Sequence, residues 1–479
     1  MSEFPEYRGE LEYVCLGCRQ VFPMDELHYT CPECGGVFLL RDKYFERLKK
    51  TSGQKWRELF DARAASKNSA LKGIFRFYEL IAPVLEPEDI VYLGEANTPV
   101  IPASDSLSET VGARFFYKND GQNPSASFKD RGMACAFSYL HKLVKLKNWD
   151  KVLTVCASTG DTSASAALYG AYAGKAVKTV VLLPKGKVTP QQLAQPLGSG
   201  ALVLEVDGVF DECMKVVEYL ADNYRVALLN SKNAWRILGQ ESYAYEIAQW
   251  CDWDVRNKAV FVPIGNAGNI TAVMRGFLKL LDLDIISCLP RIFGVQTAHA
   301  DPVYRYYEAE KGKRKYNPVR VRPSVAQAAM IGNPVSFPRV RALVEDYERL
   351  AGEGTFQVLQ VTEQEIIEGM LLANSHGHIA CTQGGECLAG LQKALAAGML
   401  NPDEEAVLDA TAHMLKFIGF QEMYFNNEFP PGYEIVPDKD MVNRPHTLIS
   451  EKERDGLSDS EYARMAGDRV VKMLGLDSR

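Results

Sequence analysis

Asn123-Pro-Ser-Ala-Ser-Phe-Lys-Asp-Arg-Gly132 sets one lysine, Lys129, among small and apolar neighbours where a helical pattern begins, running over Gly132–Leu143. A lysine in such a setting can sit in a partly desolvated site. Desolvation lowers the amine pKa and suits the residue to Schiff-base chemistry. The same ten residues also read as a surface lysine at a helix start, next to Asp130 and Arg131. Taken alone, that plainer reading has the greater weight, so the decision falls to the segments around it.

Outward from Lys129, the chain alternates strand-like apolar runs with helical patterns. Lys151–Cys156 reads as a buried strand, Ser158–Ser163 as a loop and Ala164–Ala173 as a helix of small residues. Further strand-like runs lie at Thr179–Leu183, Ala201–Val206, Val226–Leu229, Ala259–Ile264, Arg291–Val295 and Glu405–Ala410, with helical patterns such as Asp211–Asn223 and Ile270–Leu281 between them. This alternation predicts an α/β fold with mainly parallel sheets joined by right-handed crossovers. Asp42 to about Leu85 reads as a helical, charged stretch, and Ser458 with Glu461 fits a capping box at the start of a last helix reaching Leu474.

Two of the strand-to-helix junctions are chemically suggestive. Ala157-Ser-Thr-Gly-Asp-Thr-Ser163 gathers hydroxyls and a glycine at a helix N-terminus, where free backbone N–H groups attract an anion. Val262-Pro-Ile-Gly265-Asn-Ala-Gly-Asn269 is a strand, a glycine-rich loop and a helix. It lacks the Gly-Lys-Ser/Thr of a Walker A motif, and its spacing is not that of the dinucleotide fingerprint. It reads evenly as a compact phosphate cradle or a plain turn.

The chain has 479 residues, 47% hydrophobic and 24% charged, with a formal net charge of −7. That length allows two or three full cores. The negative balance speaks against a broad nucleic-acid surface. The first residues carry neither the basic nor the apolar region of a signal peptide, and no run is long and apolar enough to span a bilayer, so a cytoplasmic protein is expected. There are eleven cysteines. An odd number without a secretion signal argues for reduced thiols. Cys15-Leu-Gly-Cys18 and Cys31-Pro-Glu-Cys34, each flanked by strand-like residues, have zinc-ribbon spacing, and four thiolates fill a structural zinc site with no open position for chemistry.

Together, Asn123–Met133, Ser158-Thr-Gly-Asp-Thr162, Gly265–Asn269 and Thr411-Ala-His-Met-Leu-Lys416 resemble the threonine synthase family, whose members use pyridoxal 5′-phosphate (PLP) on fold type II. Tyr92-Leu-Gly-Glu-Ala-Asn-Thr-Pro99, Pro190–Pro196 and Asn230–Arg236 are similar to family segments too. The resemblance runs from the N-terminal cysteines to about Lys416 and is nearest to the plant-type branch, which shares the Asp in Ser-Thr-Gly-Asp-Thr. It implies a two-domain, tryptophan synthase β-like α/β fold with a small N-terminal zinc ribbon. The ribbon is expected over 1–41, the large PLP domain over 42–119 and 241–429, the small domain over 120–240 and a tail over 430–479.

By the same resemblance, Lys129 is the Schiff-base lysine and the catalytic base. Gly265, Asn266, Ala267, Gly268 and Asn269 would hold the cofactor phosphate, Thr411 would face the pyridine nitrogen, and Asp161 would lie beside the 3′-oxygen, where many relatives have Asn. Ser158, Thr159 and Thr162 would cradle the substrate carboxylate, and Asn230, Ser231 and Arg236 would grip its phosphate, Arg by a fork that matches phosphate oxygens. The implied activity is a lyase reaction of threonine biosynthesis, O-phospho-L-homoserine and water giving L-threonine and phosphate, in a homodimer without nucleic-acid or membrane partners. Ser125-Ala126 departs from the Thr-Gly usual there. The neighbouring readings are cysteate synthase, using phosphoserine and sulfite, and threonine dehydratase. A different class of reading makes the ribbon a nucleic-acid or protein binder, which the sparse basic residues around it (Arg19, Arg41) disfavour.

Overall fold

The computed structural model describes residues 4–476 except 159, 175, 186, 187, 189, 208 and 209, and the side chains of 190–192, 210 and 211 are likewise not described. Three strands near the N-terminus, β1 (Leu11–Cys15), β2 (Val21–Pro23) and β3 (Phe38–Asp42), form an antiparallel sheet in the order β2-β1-β3. Strand β1 alternates, with Leu11, Tyr13 and Cys15 facing inward, as a half-buried strand should.

The main body holds two sheets. β4 (Val100–Pro102) and β5 (Phe115–Asn119) precede a four-stranded parallel sheet built from β6 (Val152–Ala157), β7 (Val177–Pro184), β8 (Leu202–Val206) and β9 (Val226–Leu228), in the order β8-β7-β6-β9. The chain then returns through β10 (Lys258–Pro263), β11 (Arg291–Thr297), β12 (Phe356–Val361) and β13 (Glu405–Ala410) to complete a six-stranded sheet, β12-β11-β10-β13-β5-β4. Only the β4–β5 edge pairing in it is antiparallel among the described strands. Strands buried on both faces read as continuous apolar runs, which is why β6, β7, β10 and β13 were legible. Strand β12, Phe-Gln-Val-Leu-Gln-Val, is interrupted by two glutamines and lies at an edge of the sheet, and it escaped the sequence reading.

The helical stretch expected from Asp42 to about Leu85 is a correction. It contains one regular helix, Gly53–Ala64, and otherwise short turns. Gly73, at φ 58°, bends the backbone against the carbonyl of Glu95, and a continuous helix cannot pass that point. The tail is also less peripheral than expected at its start: Ile435 is buried in the core of the six-stranded sheet, whereas the last helix, Asp459–Leu474, buries nothing. Its capping box at Ser458 and Glu461 is formed.

The lysine of the opening motif is the first residue of helix α1 (Lys129–Leu146), which crosses α2 (Ala234–Gln240) at unusually short range. A Cβ on Gly239 would lie 2.2 Å from the Arg131 carbonyl oxygen, and one on Gly132 would lie 3.0 Å from the carbonyl oxygen of Arg236. The glycine closing the opening motif thus serves helix packing. Trp235 of α2 stacks on Tyr139 of α1 with ring centroids 3.7 Å apart, and its indole N–H donates to the Tyr13 hydroxyl of the ribbon at 2.9 Å. Overpacking of this kind costs about 1–3 kcal/mol. Gly239→Ala is therefore expected to lower the melting temperature clearly, as read by calorimetry, and an unchanged transition would contradict so close a crossing.

Candidate active site

A cavity opens where the carboxyl ends of β10 and β13 meet α1 and α2. Lys129, Asp161, Ser231, Arg236, Gly265, Asn266, Ala267, Gly268, Asn269 and Thr411 all line it, with Gln383, Ala328 and Ala329 completing the wall. Residues far apart in sequence are thus gathered around one space.

The placement of Lys129 is fixed by backbone bonds. Phe128 N–H donates to the Thr411 carbonyl at 2.8 Å, and His413 N–H donates to the Ala126 carbonyl at 3.1 Å. The segment before the lysine is thereby zipped to the exit of β13. To make the zip, Ala126 adopts φ 62°. That left-handed conformation costs an alanine roughly 1–2 kcal/mol, a cost that the glycine expected here by resemblance would avoid. Asp130 and Arg131, read from sequence as surface neighbours, are buried and fully engaged. Asp130 accepts from Ser125 N–H and Oγ at 2.6 Å and from Ser165 Oγ. Arg131 pairs with Asp120 at 2.7 Å and with Glu246 at 2.8 Å. Lys129 itself lines the cavity and is not an exposed surface lysine. Burial, then the nearby Arg236 guanidinium, push its amine pKa down to about 7, against the pull of Asp161 and Asp409.

The cradle loop ends in α3 (Gly268–Asp282), whose N-cap, Ala267, is at φ 61° and donates no capping group to the first turn. Gly265–Asn269 line the cavity, and the helix N-terminus they form has no side-chain cap, a setting that suits an anion. Gly265 is glycine because of its own neighbours, since a Cβ there would lie 2.9 Å from Ala329 Cα. Asn269 uses its amide N–H on Asp409 at 2.6 Å, leaving its buried Oδ1 without a partner. Burial, then the neighbouring Asp120, raise the Asp409 pKa well above the carboxylate range.

The hydroxyl loop is shorter than expected, because helix Asp161–Ala173 already starts at Asp161. Asp161 pairs with Lys416 at 2.8 Å, and Lys416 also donates to the Ser125 carbonyl at 3.0 Å. The side-chain oxygen of Ser158 is taken by Gly160 N–H, and neither Ser158 nor Thr162 is part of the cavity lining. Thr159 lies outside the described residues. Asn230 bonds the backbone of Ala157 with both ends of its amide, accepting from the Ala157 N–H at 3.1 Å and donating to the Ala157 carbonyl at 2.7 Å, which orients the side chain and leaves its second N–H and second lone pair for a ligand. Arg236 is buried, donates to the Leu229 carbonyl at 2.8 Å and has a buried, unpartnered Nε. Thr411 lies 3.5 Å from the Cys381 thiol. Sequence reading missed Gln383 and the Lys416–Asp161 pair, and no spacing signal announces either.

In the ribbon, the Sγ atoms of Cys15, Cys18, Cys31 and Cys34 all lie within 4.8 Å of one another. Gly17 and Gly36 are needed beside them, since a Cβ on Gly36 would lie 2.9 Å from Cys15 Sγ.

The pattern of the pyridoxal-phosphate dependent enzyme family matches residues 91–411. Threonine synthase of Methanocaldococcus jannaschii is 36% identical over 403 residues, covering 84% of this chain and 92% of that one. This chain belongs to the threonine synthase family. Threonine synthase 2 of Arabidopsis thaliana is 34% identical, over 83% of this chain and 74% of its own length. Among solved structures, threonine synthase from Escherichia coli superposes with a TM-score of 0.61 over 89% of this chain and 96% of that one, at 19% identity. The yeast threonine synthase gives 0.59 over 97% and 99%, at 17% identity. These structures share the fold, which is that of fold type II PLP enzymes. The cavity suits the family's cofactor, with a depressed lysine amine, an uncapped helix start and unpartnered buried polar atoms on its walls.

A lowered lysine pKa means that the neutral, nucleophilic amine is present above about 7. Attachment of PLP to cofactor-free protein, followed by stopped-flow absorbance, is expected to accelerate through about pH 7 and then level off. A rise centred near the ordinary lysine range would contradict the environment described.

Proposed function

We propose that the chain catalyses conversion of O-phospho-L-homoserine and water into L-threonine and phosphate by γ-elimination and β-addition of water. The observation that carries this reading is the convergence on one cavity of Lys129, the uncapped start of α3, Thr411 and Arg236. Bound PLP would supply an electron sink beside the substrate's α-carbon.

Lys129 is the residue that would hold the cofactor aldehyde and, once freed by substrate, take a proton from Cα and later from Cβ. An amine with a pKa near 7 is a competent base at neutral pH. Gly265, Asn266, Ala267, Gly268 and Asn269 would hold the cofactor phosphate by backbone N–H groups. Thr411 would offer the ring nitrogen a neutral hydroxyl, which does not keep a proton there as an Asp would. At Asp161, where an Asn amide could donate to the 3′-oxygen, the nearby donor is the Lys416 ammonium. Arg236 supports the assignment of a substrate phosphate grip through its unpartnered Nε, with Ser231 beside it on the wall. Ser158, Thr159 and Thr162 remain assigned to the carboxylate by resemblance.

The strand distribution supports a small domain over 120–240, around the four-stranded sheet, and a large one over 42–119 and 241–429. We assign a structural zinc to the ribbon cysteines on the strength of their clustered sulfurs. A cytoplasmic homodimer fits the free thiols and the exposed Val470, Val471, Met473 and Leu474 of the last helix, which a second copy could cover.

Purified protein is expected to release threonine and phosphate from O-phospho-L-homoserine. Lys129→Arg keeps the charge but should lose turnover by at least about 10³-fold, within the range that a general base contributes. Cysteate formed from phosphoserine and sulfite, with no turnover of phosphohomoserine, would sink the reading. The ribbon carries a second expectation. Arg339 bonds the Phe38 carbonyl of β3 at 2.8 Å and the carbonyls of Ser231 and Lys232 at 3.0 Å, so the ribbon and the phosphate-side loop share one anchor. Stripping the metal with a chelator should raise KM for phosphohomoserine several-fold while the visible PLP absorbance persists. An unaltered KM in demonstrably metal-free protein would refute that coupling.

A further inference from the structure

Helix α4 (Thr382–Ala396) begins at the cavity, and Gln383 in its first turn lines the wall beside Thr411. Gln383 is 2% exposed, and neither its Oε1 nor its Nε2 has a hydrogen-bond partner. A side-chain amide offers two donor hydrogens and an acceptor, and burying all of them unmet is costly. An orphaned polar group in a folded core calls for a partner, and at a cavity wall a ligand can supply it.

The position of Gln383 is held firmly. Ala380 bridges His413 in a short antiparallel contact, Cys381 Sγ lies 3.5 Å from Thr411 Oγ1, and a Cβ on Gly384 would lie 3.5 Å from Ala410 Cα. The first turn of α4 is therefore fastened to the exit of β13, and Gln383 and Thr411 belong to one wall. The other unpartnered groups of the cavity, Arg236 Nε and Asn269 Oδ1, sit on α2 and at the cradle instead.

We propose that Gln383 is a further cofactor-binding residue, an uncharged partner that donates its amide N–H to the pyridine nitrogen alongside Thr411. The inference rests on PLP occupying this cavity. A neutral amide can donate to the nitrogen's lone pair but cannot hand over a proton, so Gln383 keeps the ring nitrogen uncharged. A carboxylate in the same place would hold a proton on that nitrogen. Thr411 shares its hydroxyl with the Cys381 thiol, and the amide gives the nitrogen a donor that does not depend on that hydroxyl's rotation.

The test compares wild type, Gln383→Leu and Gln383→Glu. PLP is titrated into cofactor-free protein for its dissociation constant, and the visible spectrum of each holoenzyme is recorded against pH. Gln383→Leu is expected to weaken PLP binding by about 2- to 15-fold, the loss of one net hydrogen bond. The cofactor-free form should melt no lower than wild type, because a buried unpartnered amide has been removed. Gln383→Glu is expected to shift the visible band and its pH dependence. If wild type binds PLP and both variants keep its affinity and spectrum, the inference is overturned. Weaker binding in Gln383→Leu with no spectral change in Gln383→Glu overturns it as well, since the amide would then act away from the ring nitrogen. A wild-type protein that takes up no PLP would overturn the proposed function itself, and that outcome is read before any variant is compared.

Discussion

Arg131 carries its charge where no water reaches it. It is bonded to Asp120, Glu246, Thr98 and Ser242, and Glu246 is shared with Lys118 at 2.6 Å and Arg76 at 3.4 Å. Such a cluster gives little net stability over an apolar core, but removing one member strands the others, at about 3–5 kcal/mol. Its effect here is directional. The partners come from the turn after β5, the helix before β10 and the segment before β4, so the start of α1 has one allowed orientation. Lys129 is two residues from Arg131 and inherits that orientation.

The ribbon is joined to the same construction by a different route. Tyr13 reaches Trp235, one residue from Arg236, and Arg339 ties β3 to the loop that carries Ser231. A segment whose metal would be closed to chemistry thus bears on the wall assigned to the substrate phosphate. This gives the ribbon a structural connection to the enzyme fold beside it.

The site also concentrates what a stable protein avoids. Ala126 and Ala267 both take left-handed backbone angles, and Gln383, Asn269 and Arg236 leave buried polar atoms unmatched. Strain and unmet hydrogen bonds persist only where the surrounding structure over-determines them, and they gather where ligands are held. Close packing at Gly132 and Gly239, together with the buried charges, supplies that determination.

Much of the molecule was legible from sequence, for local reasons. Parallel strands buried on both faces announce themselves as apolar runs, glycine-rich turns mark where strands feed helices, and the paired CxxC knuckles need only short-range spacing. Lys129 and the cradle at Gly265–Asn269 lie in such local patterns, but they and Thr411 could be named only because several ordered motifs together resemble the threonine synthase family. What tertiary structure alone decided are the partners. Asp161 meets Lys416, Asn230 turns its amide to Ala157 and Gln383 comes to rest beside Thr411, because hydrogen bonds and ion pairs join atoms that the chain brings together only after both sheets have formed. The sequence by itself determined the elements and their chemistry, while the fold decided which side chains were left free to act, since burial and pairing are properties of position in space and not of order along the chain.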